Sequence, residues 1–226
     1  MEVARPAFPH VPIDRYYIYH FLKRQAGRVS GTVLNVGADG ADTIRALFAH
    51  CSYVTVDLQG SKQPDIVCDA RALPFAAGEG PDCILCSQVL EHADDPGGLL
   101  HEFRRVLRPR GLLMLTTPFH PIYHADPDDY WRFTESGLRM LLDGWDDVVV
   151  EPYGNRWMQI AFVQGKDLRD VDTRLLDVPD PYVPLGFACT AVRPERVPTR
   201  PRRSGCPHAR TSVRNSRGSA ARRLRR

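Results

Sequence analysis

The chain has 226 residues, of which 43% are hydrophobic and 25% are charged, and its formal net charge is +3. This length supports one sizeable hydrophobic core rather than two. No apolar run approaches the ~18 residues of a membrane-spanning helix. The first residues also lack the charged-then-apolar pattern of a secretory signal. We therefore expect a cytoplasmic protein that does not associate with membranes.

The charge is unevenly distributed along the chain. Residues 193–226 include twelve Arg and one acidic residue, a local charge of +11, which leaves −8 for residues 1–192. The basic segment is rich in Pro, Ser and Gly and poor in large apolar side chains, a composition typical of disordered chains. We predict an extended arm at residues 1–12, one folded domain at 13–193 and a basic disordered tail at 194–226.

The first predicted element is an amphipathic helix from Asp14 to Gln25, with Asp14 as its N-cap. A βαβ unit follows. Its first strand is predicted at residues 32–36 and is followed by a glycine-bearing turn at 37–40. A helix at 41–50 leads to the second strand at 52–56. In such a unit, a carboxylate at the tip of the second strand can accept hydrogen bonds from both hydroxyls of a ribose. Asp57 occupies that position.

The rest of the chain continues to alternate between strands and helices. Further strands are predicted at residues 65–68, 82–86, 112–117, 147–151 and 184–192. Further helices are predicted at residues 96–107 and 134–142 and within 153–164. This alternation favours an α/β fold with a largely parallel sheet, which binds ligands at the carboxyl ends of its strands. Polar residues at those ends are candidate ligand contacts.

Six segments carry a resemblance to a known family through their order and spacing. They are VLNVGADG (33–40), VDL (56–58), CDARALPF (68–75), DCILCSQVLEHADDP (82–96), RVLRPRGLLMLTTPF (105–119) and HADPDDYWRFTESGL (124–138). The chain resembles class I S-adenosylmethionine-dependent methyltransferases of the type 11-like small-molecule branch. The resemblance implies a Rossmann-like three-layer α/β sandwich. Its seven-stranded sheet would be mostly parallel, with residues 184–192 as an antiparallel edge strand.

The resemblance also implies that S-adenosyl-L-methionine is the cofactor, held by residues at the strand ends. Its methionine part would be contacted by Asn35, Gly37 and Ala38, and its ribose by Asp57 and Leu58. Its adenine would be contacted by Asp69, Ala70 and Arg71, and the far side of its sulfonium by Ser87, Gln88 and Val89. A charged carboxylate makes stronger hydrogen bonds than a neutral acceptor, which suits Asp57 to the ribose.

The chain departs from the family pattern in the glycine turn. Asn35 stands where the family usually has an acid, and of three alternating glycines only Gly37 is in place, because Asp39 and Ala41 occupy the other two positions. Arg110 replaces a glycine in the turn before the fifth strand. These departures leave open a second hypothesis, in which the fold no longer transfers methyl groups and serves as a binding module.

Methyl transfer to a hydroxyl or an ammonium group needs a general base. Two polar clusters offer one: Glu91, His92 and Asp94 after the fourth strand, and His120, His124, Asp126 and Asp128 after the fifth. We predict His124, His92 and Tyr130 as catalytic residues, and His120, Asp128 and Trp131 as contacts to the acceptor. A structural alternative is that Trp131 and Phe133 anchor the loop on the core and that His92 stabilises a turn.

We predict no metal site. Imidazole and carboxylate groups of the second cluster can bind a divalent ion, but Pro121 and Pro127 break the spacing that would place them on one helix face. Cys83 and Cys86 form a C-x-x-C pair without a second Cys or His pair at zinc-ligand spacing. The cysteines are therefore expected to be free thiols, packed as small hydrophobic residues.

The sequence thus predicts an S-adenosylmethionine-dependent methyltransferase that acts on a small molecule or a sugar-containing metabolite. A third hypothesis is an RNA methyltransferase steered by the Arg-rich tail, which can neutralise phosphates. The acidic body argues against RNA in the cleft, so we expect the tail to make only nonspecific nucleic-acid contacts. Fold and cofactor motifs do not encode the acceptor, and they leave the oligomeric state open.

Overall fold

The structure is a computed structural model that describes residues 12–37, 42–125 and 128–196. Its helices are α1 Ile13–Ala26, α2 Asp42–Leu47, α3 Pro96–Val106, α4 Glu135–Leu141 and α5 Arg156–Val163. Its strands are β1 Thr32–Val36, β2 Ser52–Asp57, β3 Ile66–Val67, β4 Cys83–Ser87, β5 Leu112–Pro118, β6 Asp146–Tyr153 and β7 Gly186–Val192. The predicted arm, apart from Pro12, and the predicted tail from residue 197 onward lie outside the described residues.

The seven strands form one sheet in the order β3-β2-β1-β4-β5-β7-β6. Neighbouring strands from β3 to β5 are parallel, and β7 runs antiparallel to both β5 and β6. The predicted α/β, Rossmann-like class with a seven-stranded, mostly parallel sheet is confirmed. The placement of residues 184–192 at the edge is wrong, because β7 lies between β5 and β6.

Burial explains why β7 is internal and β6 is the edge strand. All seven residues of β7 are buried, and such a continuous apolar run is stable only where neighbouring elements cover it on every side. In β6, half-buried and exposed positions alternate over residues 146–149, and only Val150 and Tyr153 are buried. This pattern suits a strand with one face toward solvent.

Alternate strand residues enter two separate cores, one on each face of the sheet. Leu85 and Met114 belong to a cluster with residues of α1 and α5, and Ile84 and Leu113 to a cluster with residues of α3 and α4. The sandwich therefore has three layers. Cys83 and Cys86 likewise face opposite cores, so they cannot hold one ion together. The five cysteines among the described residues are free thiols.

The first helix begins one residue earlier than predicted, and the prediction of Asp14 as its N-cap is wrong. Pro12 is the N-cap, with φ of −53°, an angle that its ring fixes near the helical value. Asp14 is the second helical residue and is 7% exposed. Among the described residues, no helix combines the length and the apolarity that a membrane span needs.

Candidate functional site

A cavity of about 450 Å³ lies at the carboxyl ends of the parallel strands. Every predicted cofactor residue that the structure describes lines this cavity, namely Asn35, Gly37, Asp57, Leu58, Asp69, Ala70, Arg71, Ser87, Gln88 and Val89. Ala38 lies outside the described residues. The volume is within the range of small-molecule sites, roughly 300–1,000 Å³. The structure thus gathers these residues in one place, and their individual roles stay predictions.

The wall between β1 and β4 depends on two backbone conformations. Gly37 has a φ of +79°, and a Cβ atom there would lie 2.5 Å from Cγ2 of Val89, so only glycine fits. Gln88 has a φ of 55°, which strains a residue with a side chain. Its N–H donates to the carbonyl of Thr116 at 2.9 Å. Both segments are therefore held in fixed positions on the cavity wall.

Two carboxylates at the strand ends have neighbours that limit what they can bind. Oδ1 of Asp57 accepts a hydrogen bond of 2.8 Å from the N–H of Gln59. The carboxylate of Asp69 accepts hydrogen bonds from the guanidinium of Arg71, which lowers the pKa of Asp69. Arg71 also bridges to Asp94 at 2.7 Å. An adenine amino group would therefore share Asp69 with Arg71.

Glu91 and two histidines form a cluster beside this wall, hereafter the Glu–His cluster (Glu91, His92 and His124). Nε2 of His92 and Nε2 of His124 each lie 4.0 Å from Oε1 of Glu91. Neither carboxylate oxygen of Glu91 has a hydrogen-bond partner among the described residues. Burial raises the pKa of Glu91 to about 8. Two imidazoles thus converge on a buried carboxyl group.

The opposite nitrogen of each histidine in the cluster faces an acceptor. Nδ1 of His92 lies 2.8 Å from the carbonyl oxygen of Asp128, which can only accept. Nδ1 of His124 lies 3.4 Å from Oδ2 of Asp129. The guanidinium of Arg132 holds the pKa of Asp129 well below its usual range. Asp129 is therefore a fixed negative charge behind His124.

Residues 119–125 and 128–133, hereafter the β5 loop, are held together from within by Arg132. Its guanidinium donates to both carboxylate oxygens of Asp129 at 2.6 and 2.8 Å. It also donates to the carbonyls of His120 and Ile122 at 2.8 and 2.5 Å. His120 and Ile122 line the cavity. The ion pair therefore positions the part of the loop that faces the ligand.

The end of the β5 loop is joined to the turn that carries Glu91. The N–H groups of Tyr130 and Trp131 both donate to the carbonyl of Glu91, at 2.9 and 3.2 Å. The indole of Trp131 donates to the carbonyl of Ala93 at 2.8 Å, and Phe133 is buried. These contacts agree with the structural alternative, in which Trp131 and Phe133 anchor the loop.

The structure does not bring all the predicted catalytic and acceptor residues to the cavity. His92, His120 and His124 line it. Tyr130 is 50% exposed and its hydroxyl donates to Oδ2 of Asp128, and Trp131 is 43% exposed. Asp128, Tyr130 and Trp131 are therefore supports of the Glu–His cluster rather than part of the cavity wall. Asp126 lies outside the described residues.

Sequence reasoning missed two acidic residues of the site. Asp14 lines the cavity, and its Oδ1 has no hydrogen-bond partner among the described residues; burial raises its pKa. Its spacing of four residues from Ile18 and seven from Phe21 places it on the buried stripe of α1, which was the available signal. For Asp129, the signal was an acid three residues before Arg132.

The profile of the family described as "Methyltransferase domain" matches residues 12–165. The chain belongs to this methyltransferase family. A relative in Cereibacter sphaeroides, a ubiquinone biosynthesis O-methyltransferase, is 32% identical over 99 residues, which are 40% of this chain and 37% of that protein. The alignment thus spans well under half of that relative.

Solved structures of other methyltransferases share the fold. A S-adenosylmethionine-dependent methyltransferase from Archaeoglobus fulgidus has a TM-score of 0.56 at 16% identity, covering 79% of this chain and 94% of that one. Phosphoethanolamine N-methyltransferase 2 from Haemonchus contortus, in complex with S-adenosyl-L-methionine, has a TM-score of 0.57 at 14% identity, covering 79% and 53%. The family match confirms the predicted S-adenosylmethionine-dependent methyltransferase, and the shared fold confirms the predicted fold class.

The cavity of this methyltransferase fits the cofactor on chemical grounds. Asp57 at the tip of β2 offers a carboxylate to ribose hydroxyls, and Gly37 lets a ligand approach the backbone. Asn35 is 4% exposed and neutral, so it does not supply the negative charge that the cofactor's ammonium group would favour. Asp14 brings a carboxyl group to the same cavity from another element.

Proposed function

We propose that this methyltransferase transfers the methyl group of S-adenosylmethionine to a hydroxyl oxygen of a small molecule or a sugar-containing metabolite. The observation that carries the proposal is the Glu–His cluster, in which His92 and His124 line the cavity next to Ser87 and Val89. Oxygen acceptors must lose a proton during transfer, so they need such groups nearby. An acceptor atom that has no proton to lose would not need these proton-accepting groups.

The reaction is an in-line displacement at carbon. The acceptor oxygen attacks the methyl carbon, the carbon–sulfur bond breaks, and the bonding electrons remain on sulfur, which becomes the neutral thioether of S-adenosylhomocysteine. Holding both reactants in line supplies most of the acceleration. The hydroxyl proton leaves toward the Glu–His cluster, where Oδ2 of Asp129 lies 3.4 Å from Nδ1 of His124.

The acceptor side of the cavity suits a compact molecule. Ile122 and Phe162 supply apolar contact, and the ring of His120 packs on that of Phe162 with 4.5 Å between centroids. We further propose a cytoplasmic location. The free thiols of Cys83, Cys86 and Cys189 suit a reducing compartment, and cell fractionation would test this.

The proposal is tested with the purified full chain and methyl-labelled S-adenosylmethionine. Metabolites that copurify with the protein are identified by mass spectrometry and offered as acceptors, and the product is analysed for the labelled atom. We expect a methyl ether and an equal amount of S-adenosylhomocysteine. A label on nitrogen or carbon would overturn the hydroxyl acceptor, and cofactor binding with no turnover on any acceptor would favour the binding-module hypothesis.

The matched variants are His124→Ala and His101→Ala. His124 lines the cavity, whereas His101 is an exposed residue of α3. Only the first substitution should lower turnover.

A further inference from the structure

The three side chains of the Glu–His cluster place potential ligand atoms around one space. Because Nδ1 of His92 faces a carbonyl oxygen, it carries the proton of the neutral ring, and Nε2 therefore presents a lone pair. That Nε2 faces Oε1 of Glu91, as does Nε2 of His124. One ligand atom of each side chain lies within 4.8 Å of the other two. Three acceptor atoms that share one space need either a proton or a metal ion between them.

The burial of Glu91 strengthens this requirement. The side chain is 0% exposed, and neither carboxylate oxygen has a hydrogen-bond partner among the described residues. An ionised carboxylate in such surroundings is costly unless it is protonated, paired or bound to a metal. Among the nearby cations, Arg132 lowers the pKa of Glu91 most. Its donors, however, are occupied by Asp129 and by two carbonyls.

We propose that Glu91, His92 and His124 form a binding site for a first-row divalent transition metal ion, with Zn²⁺ as the reference ion. Two imidazoles and one carboxylate are a ligand set that such ions prefer, and three protein ligands leave a position open. The carbonyl of Asp128, 2.8 Å from Nδ1 of His92, matches the outer groups that orient metal-bound histidines. The carboxylate of Asp129 lies 3.4 Å from Nδ1 of His124.

The two separations between Oε1 of Glu91 and the histidine nitrogens need to change only a little on metal binding. In a tetrahedral zinc site with bonds of about 2.1 Å, ligand atoms lie about 3.4 Å apart. The 4.0 Å separations would therefore shorten by about half an ångström. The sequence-based prediction of no metal considered the second polar cluster and the cysteine pair, whereas this site combines Glu91 and His92 from the first cluster with His124 from the second.

The role of the ion rests on the proposed function. A hydroxyl oxygen of the acceptor would take the open coordination position, where a bound metal lowers the pKa of the hydroxyl. With the ion bound, Nε2 of each histidine would be a ligand, and the proton would leave to solvent through the mouth of the cavity. Transfer of the proton to the cluster itself is then confined to the protein without the ion. The oxygen keeps its electron pair for attack on the methyl carbon.

Metal binding is measured first, on the tag-free full chain stripped with a chelator and then dialysed. Calorimetry and equilibrium dialysis with Zn²⁺ should give one equivalent bound, and Co²⁺ should bind with a visible absorption band. Mg²⁺, which prefers oxygen ligands, should not displace either. Glu91→Gln and His124→Ala should each weaken Zn²⁺ binding at least 100-fold, whereas the control His101→Ala should bind as the parent does.

Thermal unfolding and S-adenosylhomocysteine binding of each variant establish that it is folded. Zn²⁺ binding that is substoichiometric, or that is unchanged in Glu91→Gln and His124→Ala, would overturn the site. Turnover on the acceptor found in the metabolite screen should fall when the protein is stripped and return with Zn²⁺ or Co²⁺. Full turnover by the stripped protein would overturn the role of the ion and leave the proposed function standing. If no acceptor is found, the proposed function fails while the binding measurement still decides the site.

Discussion

The two halves of the cavity are built in different ways. The cofactor half consists of residues that directly follow β1 to β4, such as Gly37, Asp57 and Asp69, and its carboxylates make short-range contacts to the next residues along the chain. The acceptor half combines α1, the turn after β4 and the β5 loop. Its groups are joined by contacts across large sequence separations, such as that of His92 with Asp128.

The halves also differ in their electrostatics. In the acceptor half, burial raises the pKa of Asp14 and Glu91 and lowers that of His120. In the cofactor half, Asp69 has a lowered pKa because Arg71 is beside it. Groups whose ionisation is disfavoured are poised for proton or metal chemistry, whereas a stably charged group suits recognition. We infer that recognition and chemistry are assigned to separate halves.

The largest expected effect is in the cofactor half. Asp57→Ala should abolish the rise in melting temperature caused by S-adenosylhomocysteine, because the ribose loses its charged acceptor. A ligand at 100 times its dissociation constant adds about 2.7 kcal/mol to the stability of the parent. Glu79→Ala, at an exposed acid, is the control. An unchanged shift in Asp57→Ala would remove the cofactor assignment of this half.

The next largest effect is expected from His124→Ala, in the acceptor half of the cavity. Turnover should fall about 100-fold or more, the contribution typical of a group that assists proton loss, while calorimetry should show nearly unchanged cofactor affinity. His101→Ala is the matched control, since this exposed imidazole of α3 lies off the cavity, and it should retain turnover. A tenfold loss of cofactor affinity in His124→Ala, about 1.4 kcal/mol, would show that the halves are not separate.

Glu91→Gln tests the buried carboxyl group in chelator-treated protein. Burial raises the pKa of Glu91 to about 8 in the folded state, from an ordinary value of 4.5, so the folded state holds a proton that the unfolded state releases between these values. The free energy of unfolding of the parent should therefore fall, relative to the variant, as the pH rises from 4.5 to 8. The difference should reach a few kcal/mol, on the order of 1.4 per unit of pKa. A difference between the two urea-unfolding free energies that does not vary with pH would contradict this.

His120→Phe should change stability in acid. The pKa of His120 is lowered to about 4 from 6.5 by burial and by the nearby Arg132 and His124, against the opposing charge of Asp129. The unfolded state therefore binds more protons between pH 6.5 and 4, and the parent loses stability as the pH falls through that range. Phe retains the contact with Phe162 and lacks the titration, so acid unfolding should begin at lower pH. If the parent and the variant unfold at the same acidic pH, His120 is not the group that makes the parent sensitive to acid.

The smallest effect on turnover is expected from the tail. Deletion of residues 197–226 should leave small-molecule turnover unchanged and remove nonspecific RNA binding, which weakens steeply with salt. Arg193 is kept because it is 8% exposed and its Nε donates to the carbonyl of Arg104 at 2.7 Å. Turnover on RNA that disappears with the tail would replace the proposed acceptor class.

The cofactor half could be predicted from the sequence because its information is local. A buried strand followed by Gly37, and an acid at the tip of the next strand, define positions in space once the sheet is parallel. Arg110 also shows that local sequence specifies a backbone conformation. It stands where the resembled family has a glycine, and its φ is 63°. Ion pairs with Asp146 and Asp147 accompany this strained conformation.

The acceptor half could be predicted only in part, because its contacts join segments distant in sequence. His124 and His92 can be identified by residue type, but the sequence names Glu91 only as a member of the first polar cluster and does not show that both histidines face it. The polarity of Asp14 predicts an N-cap, although its spacing also places it on the apolar stripe. The Asp129–Arg132 pair depends on a loop conformation that no periodic pattern specifies.

The position of β7 has a consequence for synthesis of the chain on the ribosome. β6 leaves the exit tunnel before β7, yet its only strand partner among the described residues is β7. Until residue 192 has emerged, β5 has an open edge and β6 has no ladder to join. The half of the sheet that supports the β5 loop must therefore assemble in one late step, after the βαβ unit of the cofactor half is already available to fold.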